Sequence, residues 1–183
     1  MSADQPTAQA PKIPPIAQRP RIQFFRGSEA TELFEANVMS LAPSPPERAP
    51  FNEDIAKVVP LGGESHVVFQ MPETDGFSLV HAWFKSGFPL PAHTHDSDCL
   101  YYVLAGELTM GSHTLRRGDG FLVPANTAYA YVPGPQGVEV LEFRSKTRFD
   151  FRAQTATPQR WQQMVDTCRE RQDAWTDEPR PTN

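Results

Sequence analysis

At 183 residues the chain is long enough for one domain with extensions and one sizeable core. A net charge of −5 and a pI near 5.5 offer no basic surface for nucleic acid and no polybasic patch for a membrane. No apolar run reaches the roughly 20 residues of a membrane span. The N-terminus lacks the apolar core of a signal peptide, and two cysteines, Cys99 and Cys168, make no disulfide framework, so a reduced cytoplasmic protein is expected.

Ten of the nineteen prolines fall before residue 61, so the chain is not uniform. Residues 1–20, rich in Pro, Ala and Gln, read as a disordered tail, and 21–58 as an N-terminal extension. In GSEATELFEANVMSL (27–41), Ser28 serves as an N-cap, and Ala30, Leu33, Phe34, Val38 and Leu41 recur at helical spacing. A short helix is predicted there, ended by the prolines of APSPPERAP (42–50).

From residue 59 to 152 the pattern is one of short strands with turn punctuation. The segments are SHVVFQM (65–71), FSLVHAWFK (77–85), CLYYVLAG (99–106) and a hairpin turning at GSH (111–113). FLVPANTAYAYV (121–132) and VEVLEFR (138–144) follow, separated by PGPQG, and RFDFR (148–152) closes the series. Strands this short and regular predict an all-β sandwich or barrel. Residues 153–183 form a C-terminal helix and tail. Thr157 is its N-cap and Pro158 its first residue. Trp161, Met164, Val165, Cys168 and Trp175 make an apolar stripe that must be buried. The last residues, DEPRPTN, are expected to fray.

Within PAHTHDSDCLYYVLAGE (91–107), His93 and His95 lie one residue apart and on a strand would aim at one point. GFPLPAHTHDSDCLYYVLAG (87–106) resembles the first motif of the cupin superfamily: glycine, five residues, His-x-His, a turn, glutamate, six residues, glycine. Gly87, His93, His95 and Gly106 match, and Cys99 takes the glutamate place. GDGFLVPANTAYAYV (118–132) resembles the second motif. Gly118 and Pro124 match, Asn126 stands at the second glycine and Tyr129 at the histidine.

The resemblance covers about residues 60–150 and implies a double-stranded β-helix, the cupin jelly-roll barrel, with its site in the lumen. It implies a metal centre of His93, His95, Cys99 and Tyr129, with Tyr129 and Tyr101 placing or protonating a small organic substrate. Neutral imidazoles suit a divalent transition ion, iron or zinc foremost, nickel or manganese as well. An oxygenase or lyase would follow from that site. Because two ligand positions are substituted, two metal-free readings stand beside it: a non-enzymatic small-ligand-binding cupin, or an isomerase or epimerase using His as base and Tyr as acid. Cys99 is a thiolate ligand, an inert packing thiol, or a redox or nucleophilic group. His81 is expected to point inward with Leu79 and Trp83. The extension and the C-terminal helix are candidates for covering sheet edges, and a homodimer is expected.

Overall fold

Burial alternates along the central strands and so fixes the inside of the barrel. The computed structural model describes residues 22–72, 76–154 and 157–181, so the predicted tail, 1–20, lies outside the described residues. Among these residues the strands are β1 (Thr31–Glu32), β2 (Met39–Leu41), β3 (Gly63–Gln70), β4 (Ser78–Phe84), β5 (His93–Thr94), β6 (Cys99–Met110), β7 (His113–Arg116), β8 (Gly120–Val123), β9 (Val132–Arg144) and β10 (Phe149–Ala153). The helices are α1 (Asn52–Val58) and α2 (Pro158–Thr176). One sheet runs β1-β3-β4-β9-β6-β7, with β8 also on β6, and a smaller sheet runs β2-β10-β5.

On β6, Cys99, Tyr101 and Val103 are buried while Leu100 and Tyr102 are exposed. Register then places Cys99 opposite Arg144, Tyr101 opposite Glu142 and Val103 opposite Val140, so these six share the inner face. The barrel core closes around them with Ala82, Val123, Tyr129, Tyr131 and Val138.

The motif glycines serve the backbone. Gly106 has φ +70°, and a Cβ there would lie 2.2 Å from the carbonyl oxygen of Gly137. Asn126, standing at a motif glycine, keeps the left-handed conformation with φ +62°, which asparagine tolerates.

Four expectations need correction. Residues 27–41 form no helix: a 3₁₀ turn (Gly27–Glu29) leads into β1 and β2. The Glu32 carboxylate accepts from the Phe34 and Glu35 N–H groups, closing a turn, and pairing with β3 and β10 holds the flanking strands. Leu33 and Val38 are buried against Val67, Val80 and Phe149, so their spacing serves a turn between two strands. The short N-terminal helix is α1, beyond the prolines that were expected to end it.

PGPQG does not separate two strands but lies within β9. The register shift facing it on β6, between Gly106 and Leu108, absorbs the extra residues, as Gly106 pairs with Val138 and Leu108 with Pro133. FLVPANTAYAYV is not one strand: β8 ends at Val123 and a turn carries the chain to Tyr129. The C-terminal tail is anchored as far as it is described. Glu178 accepts from the Ser86 N–H (2.7 Å) and hydroxyl (2.6 Å), and Arg180 meets Glu64 at 2.5 Å.

Helix α2 forms as predicted, with the Thr157 hydroxyl accepting from the Arg160 N–H and Pro158 in the first turn. Its whole stripe is buried, against Ile55 and Val58 of α1 and against Phe88.

Candidate functional site

The two histidines owe their positions to the chain on both sides of β5. His93 and Tyr129 exchange both backbone hydrogen bonds at 3.1 Å, and the Asn126 N–H donates to the His95 carbonyl at 2.7 Å. On the other flank β5 pairs with β10. The acidic turn is a brace rather than a solvated patch. Asp96 and Asp150 each accept the other's N–H at Oδ1 (2.8 and 3.0 Å), and Lys146 meets Asp96 at 2.8 Å. Asp98 accepts from the Ala125 N–H.

Both imidazoles are buried in the lumen, their ring centres 4.9 Å apart, with His93 stacked on Phe151 at 4.7 Å. His93 Nδ1 donates to the Pro91 carbonyl at 2.7 Å, and His95 Nδ1 donates to the Asp150 carbonyl. A carbonyl only accepts, so each neutral ring carries its proton on Nδ1 and presents an unprotonated Nε2. Burial, reinforced by the nearby Arg144 guanidinium, holds His93 down to about 4 and His95 to about 2.

The Tyr129 ring lies 4.4 Å from His93 between ring centres, and its hydroxyl is hydrogen-bonded to that of Tyr101. Burial pushes both phenols, and Tyr131 with them, above their ordinary range. It pushes the Cys99 thiol up to about 12. All four therefore remain protonated at neutral pH, and the tyrosines are hydrogen-bond donors. Among the described residues no three His, Cys, Asp or Glu side chains are grouped so as to hold a metal ion.

The sequence reading missed the two charges of this interior. Arg144 Nη2 donates to Glu142 at 2.5 Å and to the Tyr101 hydroxyl at 3.3 Å, and the guanidinium lies over Phe149 at 4.0 Å. Burial opposes the charge of Arg144, but Tyr101 and Glu142 more than restore it. The signal was present in VEVLEFR. Counting by two from Val138 and Val140 reaches Glu142 and Arg144, while Leu141 and Phe143 take the other face. Of these polar lumen groups, Glu142 and Tyr129 keep the most exposure, 8% each, and mark the side open to solvent.

His81 does share its face with Leu79 and Trp83, but that is the outer face, because fully buried Val80 and Ala82 point inward. It lies 3.8 Å from Glu139, beside His66 and Arg180.

Barrel topology, inward strand faces and the conformations at Gly87, Gly106, Gly118 and Asn126 define a cupin-type jelly roll. The chain is similar to an RmlC-like cupin from Shewanella frigidimarina, at 25% identity over 48% of this chain and 78% of the other, TM-score 0.41. It is similar to the polyketide cyclase RemF from Streptomyces resistomycificus, at 18% identity over 58% of this chain and 83% of the other, TM-score 0.47. It is also similar to KdgF from a Halomonas species, at 18% identity over 69% of this chain and 96% of the other, TM-score 0.45. No family model matches the sequence, and no curated protein does. No helix among the described residues is long and apolar enough to cross a membrane.

Proposed function

We propose that the chain is a cupin whose lumen takes a small organic molecule and transfers protons on it without a resident metal ion, the isomerase-like reading of the residues. Two neutral imidazoles with free Nε2 atoms supply the base. The Tyr129 and Tyr101 hydroxyls supply the acid. A base removing a proton at Nε2, with a phenol holding the substrate oxygen where charge develops, is the minimal device for moving a double bond or inverting a centre next to a carbonyl.

The single observation that carries this reading is the locked tautomer. Both Nδ1 atoms are committed to backbone carbonyls, which leaves both Nε2 atoms unprotonated on rings whose centres lie 4.4 and 6.2 Å from that of Tyr129, whose hydroxyl is hydrogen-bonded to that of Tyr101. A divalent ion would find those same two nitrogens. The rest of the donor set does not fit it: the thiol and phenols are held protonated, and the Arg144 guanidinium acts on both imidazoles to disfavour added positive charge.

Elemental analysis of protein purified without an affinity tag tests this, together with His93→Ala/His95→Ala and Cys99→Ser. Substoichiometric iron, zinc, nickel and manganese in all three supports a lumen that works without a metal ion, as proton transfer requires. Stoichiometric iron or zinc lost in the double variant would overturn it and restore an oxygenase or lyase.

We also infer a homodimer. Leu100, Tyr102, Leu122 and Phe143 are 50%, 48%, 63% and 42% exposed on adjoining strands of the outer face, an apolar strip of the kind that protein interfaces cover. Sedimentation at micromolar protein is expected to give twice the chain mass.

A further inference from the structure

Arg144 is 2% exposed, yet it is only partly satisfied. Its Nη2 serves Glu142 and Tyr101, while Nε, with one N–H, and Nη1, with two, have no acceptor among the described residues. A buried N–H left without an acceptor loses its hydration with nothing in return. Here three such groups belong to one ion. Phe149 covers one face of the guanidinium and Glu142 fixes one corner, so the ion cannot turn to find partners elsewhere. The side chain that carries the unused donors stands opposite Cys99 on the inner face and is close enough to His93, His95 and Tyr129 to act on all three.

We propose that Arg144 is the anchor for a carboxylate of the lumen ligand, so that the molecule this site takes is a small organic acid. The inference rests on the lumen being the ligand site. Hydrogen bonds from a charged donor to a charged oxygen are about twice as strong as neutral ones, and a planar guanidinium matches the planar carboxylate. Because Glu142 cancels the guanidinium's charge at a distance, selection depends on the N–H directions rather than on a long-range field. That favours a compact monocarboxylate over a polyanion. The acid's remaining atoms then lie toward the Tyr101–Tyr129 hydroxyls and the two Nε2 atoms, where a carbonyl or hydroxyl beside the carboxylate would be worked on.

The test uses two probes of equal shape, propanoate and propanamide, titrated into the full chain. Binding is read from the ring C–H NMR signals of His93 and His95, assigned with His93→Gln. Propanoate is expected to shift both signals saturably and to bind about tenfold tighter than propanamide. Arg144→Lys, which keeps the charge and loses the fork, is expected to lower propanoate affinity about tenfold and leave propanamide unchanged. Should Arg144→Lys fail to fold, the comparison of the two probes in the natural protein decides alone. Equal affinity for both probes would overturn the carboxylate assignment and leave the lumen reading standing. That is also the result expected if a buried water alone satisfies the guanidinium. No shift of either histidine by either probe would overturn both.

Discussion

Two of the interiors among the described residues each bury a cysteine. Between α2, α1 and Phe88 the fill is apolar: Cys168 sits among Trp161, Met164, Val165 and Trp175, and burial alone pushes its thiol up to about 11. In the barrel, Cys99 sits with Tyr101 and Tyr129 beside the Glu142–Arg144 ion pair. The helical layer has to exclude water and fill volume, which many side-chain combinations achieve. The lumen carries polar groups that cost stability unless each is paired, so its contents answer to something other than packing. Such an interior is where a functional site is expected.

The sharpest way to separate the two interiors is to damage each. Trp161→Ala, at a side chain 1% exposed, is expected to cost about 3–5 kcal/mol in urea unfolding. It should leave propanoate affinity unchanged. Glu142→Ala strands the Arg144 charge and is expected to cost a similar ~3–5 kcal/mol. There the second substitution, Glu142→Met with Arg144→Met, should recover most of that loss while abolishing propanoate binding. Recovery of stability with propanoate binding retained would mean that the Glu142–Arg144 pair, like the helical layer, serves packing alone and does not anchor the ligand.

The pH response divides the two regions next. His93 and His95 are neutral in the folded chain and titrate near 6.5 when unfolded. Below that pH the unfolded chain therefore takes up protons that the folded chain refuses. Stability should then fall as pH drops from about 6.5 toward about 4, by up to ~1.4 kcal/mol per pH unit for each ring. His93→Gln should remove its share of that slope, whereas Trp161→Phe should leave it intact. A slope unchanged in His93→Gln would refute the buried neutral ring.

Smaller effects follow. Both thiols should resist labelling by a disulfide reagent in the folded protein and react only on unfolding, since neither is exposed or ionised. Leu122→Asp, on the outer strip, should change folding stability by less than about 0.5 kcal/mol and convert the dimer to monomer in sedimentation.

The residues of the site were legible in unequal measure. His-x-His on a strand fixes two side chains on one face, so the pairing of His93 with His95 needs no tertiary information. Helix α2 was legible for a similar reason, because its cap, first-turn proline and stripe are all local. Arg144 and Glu142 were not. In VLEFR the apolar residues that look buried, Leu141 and Phe143, point outward, and the charged ones point inward. Only the register against Cys99 and Tyr101 reveals which set the barrel encloses. The 27–41 segment misled because its apolar spacing satisfies a helix as well as a turn between two strands. Long-range pairing with β3 and β10 decides there, and no local property records it.

One consequence follows from the placement of β10. It borders β2 of the extension on one side and β5 on the other, and its Asp150 carbonyl takes the His95 ring proton. The segment before the barrel is thus two strands away from an imidazole that lies deep inside it. Whatever loosens that segment, whether a cut near residue 45 or a partner that peels β2 from its neighbour, would reach the histidine as a change in ring orientation before the barrel itself gave way.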